Sequence, residues 1–207
     1  MPGFDAILFD FDGVLVDSEP LHCACWAEAL APFGLKLEWD VYRDRYLGID
    51  DRDMLRSIAA AAHPPLDWQN LWTRYPAKKE LFQRQMERPP FPPDLAALLE
   101  GLRGEYKLAV VSSSARSEIE PPLKASNLCS YFSALVTGED VKRLKPAPEP
   151  YLLGAELVGA KRPLVVEDSA AGVASGRAAG FEVLHVKSAQ SMPAALLDKL
   201  SSDSAPA

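Results

Sequence analysis

The stretch Ile7-Leu8-Phe9-Asp10-Phe11-Asp12-Gly13-Val14 decides how this chain is read. An apolar run ends in a carboxylate, a second carboxylate follows two residues on, and a glycine lets the backbone turn. The pattern predicts a strand over residues 6–9, buried on both faces, with Asp10 at its carboxyl end. Open parallel sheets gather their chemistry at that edge. In extended backbone, residues two apart project to the same side, so Asp10 and Asp12 are brought together. Two such carboxylates repel, and they need a cation, a proton or a hydrogen-bond donor between them. One arrangement uses both: Asp10 binds a metal ion and attacks as a nucleophile, while Asp12 moves the proton. The competing reading is a strand ending in a solvated acidic turn, and the rest of the chain decides between them.

Outward from this stretch, residues 17–88 read as helical, with no obvious strand. Asp17-Ser18-Glu19-Pro20 is a helix start, with capping side chains, early acids and a proline near the first turn. Helical segments are expected over residues 21–33, over 41–47 up to a stop at Gly48, and over 52–62. A further helical region follows Asp67, with a bend at Pro76. Arg88-Pro89-Pro90-Phe91-Pro92-Pro93, four prolines in six residues, is a stiff non-helical connector. Beyond it helix and strand alternate. Strands are expected at 108–111, 134–136, 164–166 and 182–186, and helices at 95–102, 115–127, 149–158, 170–179 and 193–200. Pro121-Pro122 should disturb the second of these helices, and residues 201–207 should be a disordered tail.

Short, continuously apolar strands separated by helices mark an α/β fold with a parallel sheet covered on both faces. The first two strands are separated by the whole helical run, whereas a crossover between parallel neighbours needs only about a dozen residues. The helical run is therefore an insertion. The expected organisation is an α/β core of residues 1–16 plus 92–207, and an inserted α-helical cap of residues 17–91.

The chain has 207 residues, 48% hydrophobic and 25% charged, with a net charge of −7. That charge argues against nucleic acid or an anionic membrane as partner, since both want a basic face. No apolar run is long enough to span a bilayer, and no basic segment precedes the first strand as a secretory leader would require. Cys23, Cys25 and Cys129 have no metal-ligand spacing, and they read as small buried residues in a reducing, cytoplasmic setting. A small anionic substrate remains compatible with the charge, because a few local cations and a metal can bind one. A monomer is the default expectation.

Four strand ends then line up on one edge: Asp10-Phe11-Asp12, Ser112, the loop leading to Lys145-Pro146, and Glu167-Asp168. Each type suits phosphoryl transfer. Asp10 supplies an oxygen nucleophile. Asp10 and Asp168, with the backbone carbonyl of Asp12 nearby and Glu167 in an outer role, can hold Mg²⁺, which prefers hard oxygen ligands. Ser112 can hydrogen-bond a phosphate oxygen, and the backbone N–H of Ser113 can add to that grip. Lys145 lowers the repulsion between Asp10 and an incoming dianion. Arg116, just after the second strand, either faces this site or forms a surface salt bridge.

Phe9-Asp10-Phe11-Asp12-Gly13-Val14, Val111-Ser112-Ser113, Lys145-Pro146-Ala147-Pro148 and Val166-Glu167-Asp168-Ser169 resemble, in this order, the four motifs of the haloacid dehalogenase superfamily. The helical insertion is similar to its small α-helical cap. Asp17-Ser18-Glu19, His22 and Trp26 resemble the branch of β-phosphoglucomutase and phosphoglycolate phosphatase-like proteins. The resemblance implies a Rossmann-like core of strand order 5-4-1-2-3, Mg²⁺, and an aspartyl phosphate on Asp10. It also implies Asp12 as general acid and then base. It points to His22 as a group that orients Asp12 or reads substrate, against a helix histidine packing beside Trp26. Lys78 falls where the cap lysine would be. The arginine with which a mutase grips a distal phosphate falls on Asp51, with Arg52 next to it. Simple hydrolysis of a small phosphate ester is therefore the first expectation, a phosphomutase the second, and a binding relative without turnover the third.

Overall fold

A computed structural model describes residues 3–47 and 49–204. In chain order the elements are β1 (Ala6–Phe9), α1 (Glu19–Leu30), α2 (Trp39–Arg45), α3 (Asp51–Ala61), α4 (Trp68–Trp72), α5 (Tyr75–Gln85), α6 (Leu95–Leu102), β2 (Lys107–Val111), α7 (Arg116–Ala125), β3 (Ala134–Val136), α8 (Glu149–Val158), β4 (Pro163–Glu167), α9 (Ala170–Ala178), β5 (Glu182–His185) and α10 (Met192–Ser204). The chain divides into two compact units, one running up to Asp17 and resuming at Pro89, the other spanning Ser18–Arg88.

In the first unit the strands form one sheet of order β3-β2-β1-β4-β5, all neighbours parallel. This is the α/β architecture and the strand order that the motifs imply. β1 is buried along its whole length, as a central strand covered on both faces must be. One face of the sheet packs Leu8, Ala109, Val111 and Val165 against Tyr151, Ala155 and Val158 of α8. Each of the leucines and valines among them, once buried, contributes about 1.5–3 kcal/mol. The register sets Phe9 beside Val110 on one side and Val166 on the other. The residues that follow these three emerge together at the carboxyl edge of the sheet.

The second unit is built of helices joined by short loops, with no strand among its described residues. Trp26, Leu30, Met54, Leu55 and Leu71 form its buried centre. Asp50 caps α3 by accepting from the Arg52 N–H, and Asp67 caps α4 by accepting from the Gln69 N–H, each at 2.9 Å. Pro76 lies in the first turn of α5 and opens a separate helix, instead of bending one long helix. Its missing N–H is one that a first turn leaves unpaired in any case. Gly48, the expected stop of the second helix, lies outside the described residues.

Two further expectations are corrected. Helix α7 runs through Pro121 and Pro122 without a break. Ile119 and Leu123 on its inner side are buried, and that packing outweighs the lost backbone bonds. The segment 201–204 is helical as the end of α10, with the Ser201 and Ser202 hydroxyls donating to the carbonyls of Leu197 and Asp198. Residues 205–207 lie outside the described residues. No described helix is long and apolar enough to cross a membrane.

Candidate active site

The centre of the site is an ammonium in a cage of oxygens. Lys145 reaches in from the loop between β3 and α8, and its Nζ donates to Asp10 Oδ1 at 2.8 Å, to the Val111 carbonyl at 2.9 Å and to Glu167 Oε1 at 2.6 Å. All three of its N–H groups are thereby used. The three acceptors come from the ends of β1, β2 and β4, so the strand register itself builds the cage. The Asp10 N–H still donates to the Val166 carbonyl at 3.0 Å, which fixes the backbone of Asp10 as a continuation of the sheet.

Glu167 is fully buried. Its Oε1 also accepts from the Tyr151 hydroxyl at 2.7 Å, and its Oε2 accepts from the Asp168 N–H, the Ser169 N–H and the Ser169 hydroxyl. Both carboxylate oxygens are therefore engaged by protein donors. The Tyr151 ring lies under the Lys145 ammonium, 4.9 Å from its centroid. Tyr151 was missed by sequence reasoning, and Ser169 entered it only as the last residue of the fourth motif, with no role. Tyr151 carries no signal there, since an aromatic on the inner face of a helix reads as core.

Electrostatically, one ammonium faces three acids. Burial pushes the Asp10 carboxyl well above the usual carboxylate range, the Lys145 ammonium pulls it back, and Glu167 and Asp168 push it up again. Burial works against the charge on Lys145, but Asp10 and Glu167 outweigh it and hold Lys145 above its ordinary value. Carboxylate oxygens of Asp10, Glu167 and Asp168 lie within 4.8 Å of one another. Hard oxygen donors with surplus negative charge fit a divalent cation such as Mg²⁺. Because Glu167 is already saturated by donors, Asp10 and Asp168 are the acids suited to direct ligation.

Gly13, at φ 75°, turns the chain after Asp12. Its N–H donates to the Val16 carbonyl at 2.8 Å, while the N–H groups of Leu15 and Val16 donate to the Phe11 carbonyl. A Cβ at Gly13 would run into the Asp168 carboxylate, and one at Gly172 into that of Glu167. Across the cavity, Ser112 Oγ accepts from the Ser114 N–H at 3.1 Å, and Ser114 Oγ donates to Asp12 Oδ2 at 3.0 Å. Asp10, Asp12, Ser112, Ser113, Ser114, Lys145 and Ser169 line a cavity of about 200 Å³. The His185 Nε2 donates to the Asp168 carbonyl at 2.9 Å, a second partner that the sequence did not single out.

Arg116 is not among the residues lining this cavity. It pairs with Asp140 at 2.8 Å, and Asp140 also accepts from the Thr137 N–H and hydroxyl. The surface salt bridge, one of the two readings of Arg116, is the arrangement found.

His22 and Lys78 meet within the helical unit. Lys78 is buried, and its Nζ donates to His22 Nδ1 at 2.9 Å and to Asp51 Oδ2 at 3.3 Å. Trp26 Nε1 donates to the other oxygen of Asp51 at 2.7 Å. The His22 ring stacks on Phe82, with centroids 4.1 Å apart. Burial and the neighbouring Lys78 ammonium lower the His22 pKa to about 3, so the imidazole is neutral at ordinary pH.

The sequence profile described as haloacid dehalogenase-like hydrolase matches residues 7–186. A protein of Thermotoga maritima named phosphorylated carbohydrates phosphatase is 30% identical over 184 residues, covering 87% of this chain and 84% of its own. Fructose-1-phosphate phosphatase YqaB of Escherichia coli is 29% identical, covering 89% of this chain and 97% of its own. Among solved structures, a conserved haloacid dehalogenase-like protein of unknown function from Agrobacterium tumefaciens superposes with a TM-score of 0.78 at 25% identity, over 95% of this chain and 99% of that one.

Proposed function

The chain belongs to the haloacid dehalogenase-like hydrolases, and from that premise we propose that it is a Mg²⁺-dependent phosphatase of a small phosphorylated metabolite, of the sugar-phosphate kind. The single observation that carries this reading is the Lys145 ammonium bridging Asp10 and Glu167 at the edge of the sheet, with Asp168 beside them. A carboxylate held in place by an ammonium, and needing one more cation, is a nucleophile prepared for an anionic electrophile.

An oxygen of Asp10 attacks phosphorus and forms an aspartyl phosphate as the ester oxygen leaves. Asp12 gives that oxygen its proton. Asp12 then takes a proton from water, whose oxygen attacks the aspartyl phosphate, releasing inorganic phosphate and regenerating Asp10. The Ser112 hydroxyl and the Ser113 N–H hold phosphoryl oxygens. Lys145 offsets the repulsion between Asp10 and the dianion, and Glu167 braces Lys145 and the loop of Asp168. Asp10, Asp168 and the Asp12 carbonyl would hold Mg²⁺, which would supply further neutralisation of phosphoryl charge. The helical unit, Ser18–Arg88, serves as the cap by resemblance, with His22 and Lys78 as its polar groups for reading the substrate.

Hydrolysis is favoured over phosphomutase chemistry by Asp51. An acid that accepts from Trp26 and pairs with Lys78 occupies the position where a mutase needs a cation for a second phosphate. The sugar-phosphate class is supported by the names of the two phosphatase relatives. The test is phosphate release from a panel of sugar phosphates and other monoesters, with Mg²⁺ and with chelator, alongside Asp10→Asn. Release that needs both Mg²⁺ and Asp10 supports the reading. Release that survives in Asp10→Asn overturns it, and isomerisation of a hexose 1-phosphate without release would make the protein a mutase.

A further inference from the structure

We propose that Ser114 is a positioning residue for Asp12, fixing the rotation of the carboxyl group that gives and takes the proton. The inference rests on the phosphatase reading and deepens its proton-transfer step.

Ser114 is held at both ends of its backbone. Its N–H donates to Ser112 Oγ at 3.1 Å, and its carbonyl accepts from the Gly138 N–H at 3.0 Å. The loop after β2 is thus tied to the loop after β3, and it carries the Ser114 hydroxyl to a defined place. From there the hydroxyl donates to Asp12 Oδ2 at 3.0 Å, across 102 residues of sequence. Asp12 is held on its own side by its bridge with Val16. Both side chains line the same cavity as Asp10.

The hydrogen bond from Ser114 to one carboxyl oxygen holds the plane of the Asp12 carboxyl group. As the P–O bond breaks, the Asp12 proton passes to the leaving oxygen and the electron pair stays on the carboxylate. In the second half, that carboxylate accepts the proton of the attacking water. The Ser114 bond persists through both halves, so the carboxyl does not have to rotate between its two duties. In this role Ser114 acts on the reaction through Asp12.

A merely structural role would lower all activities alike. A role in proton delivery is graded by how much the leaving group needs the proton. The experiment compares kcat/KM for p-nitrophenyl phosphate, phenyl phosphate and glycerol 1-phosphate in wild type, Ser114→Ala, Ser114→Thr and Asp12→Asn. This parameter reports the steps up to departure of the leaving group. Ser114→Ala is expected to lose about tenfold on glycerol 1-phosphate, as for one hydrogen bond to a charged group. The loss should be smaller on phenyl phosphate and less than about twofold on p-nitrophenyl phosphate, with Ser114→Thr restoring the alkyl ester. Unchanged far-UV circular dichroism and Mg²⁺-dependent stabilisation check that the variants keep the fold and its acidic cluster.

An equal loss on all three esters, or none, overturns the inference while leaving the phosphatase reading intact, provided Asp12→Asn shows the graded loss. A flat profile in Asp12→Asn overturns Asp12 as the acid, and this inference with it. Wild-type protein inert toward all three esters removes the reading on which both stand.

Discussion

In the sheet unit the buried lysine, Lys145, lies between two carboxylates with a third acid beside them, whereas in the helical unit the buried lysine, Lys78, lies between one carboxylate and a neutral imidazole. Lys78 also sits over the faces of Trp26, Tyr75 and Phe82, at 5.5–6.0 Å from their centroids. Both clusters obey the rule that a buried charge must be paired. They differ in what is left over. Around Lys78 one acid meets one ammonium, and aromatic quadrupoles complete the shell. Around Lys145 the acids outnumber the ammonium, and burial prevents water from making up the difference. The balanced cluster can serve packing and orientation without further help. The unbalanced one carries surplus negative charge, and that surplus fits a further cation.

The contrast is open to experiment, starting with the nucleophile. Asp10→Asn keeps the shape of the cage but removes the nucleophile, and turnover should fall by at least about 10⁴-fold in steady-state assays. Mg²⁺ should raise the melting temperature of the wild type, by an amount equivalent to about 2.7 kcal/mol at a concentration a hundredfold above its dissociation constant. Asp168→Asn should lose most of that rise, and chelator should abolish turnover. A melting temperature indifferent to Mg²⁺ would mean that the surplus acid is not a metal site.

Replacing each lysine tests the two clusters directly. Lys145→Met strands Asp10 and Glu167 together, and urea denaturation should show a loss of about 3–5 kcal/mol. Lys78→Met strands only Asp51, whose side chain is 28% exposed and can rehydrate. There the loss should be about 1–2 kcal/mol. Equal losses would remove the distinction between the clusters.

The neutral imidazole has its own signature in pH. Unfolded His22 takes up a proton near 6.5, and folded His22 only near 3. The unfolded chain therefore binds more protons over that interval, so stability is full above about pH 6.5 and falls as pH drops. The slope contributed by this group is roughly 1.4 kcal/mol per pH unit. His22→Gln should flatten the wild-type curve between pH 6 and 4. Smallest is Tyr151→Phe, which leaves Glu167 one donor short and should cost about 1 kcal/mol, read as a shift in urea midpoint.

Much of this architecture is legible in the chain because its signals are local. The run 6–9 is apolar without alternation, so a central strand and the position of Asp10 at its end follow from composition alone. The proline cluster and the long helical run betray the insertion. Lys145 and the Glu167-Asp168 pair are visible because charges at strand ends are conspicuous. What escaped notice has no local signature. Tyr151 belongs to the site only because α8 lies across the sheet under Lys145. Ser114 is the third serine in a row, and its bond to Asp12 depends on how two loops meet. Arg116 had two readings that only the position of Asp140 could separate. The prolines of α7 and the last turn of α10 were misjudged for a related reason, since tertiary packing set those helices and intrinsic preference did not.

The two glycines pressed against the acids have a consequence for how natural variants of this protein should be sorted. Neither Gly13 nor Gly172 carries a functional group, yet any side chain at either position must displace Asp168 or Glu167. Gly13 adds a backbone twist that other residues resist. A chain with every acid and lysine in place, but alanine at 13 or 172, would look intact to a reader who counts charges and would nevertheless have its acids pushed apart. The vacancy beside each carboxylate is as heritable a part of the site as the carboxylate itself.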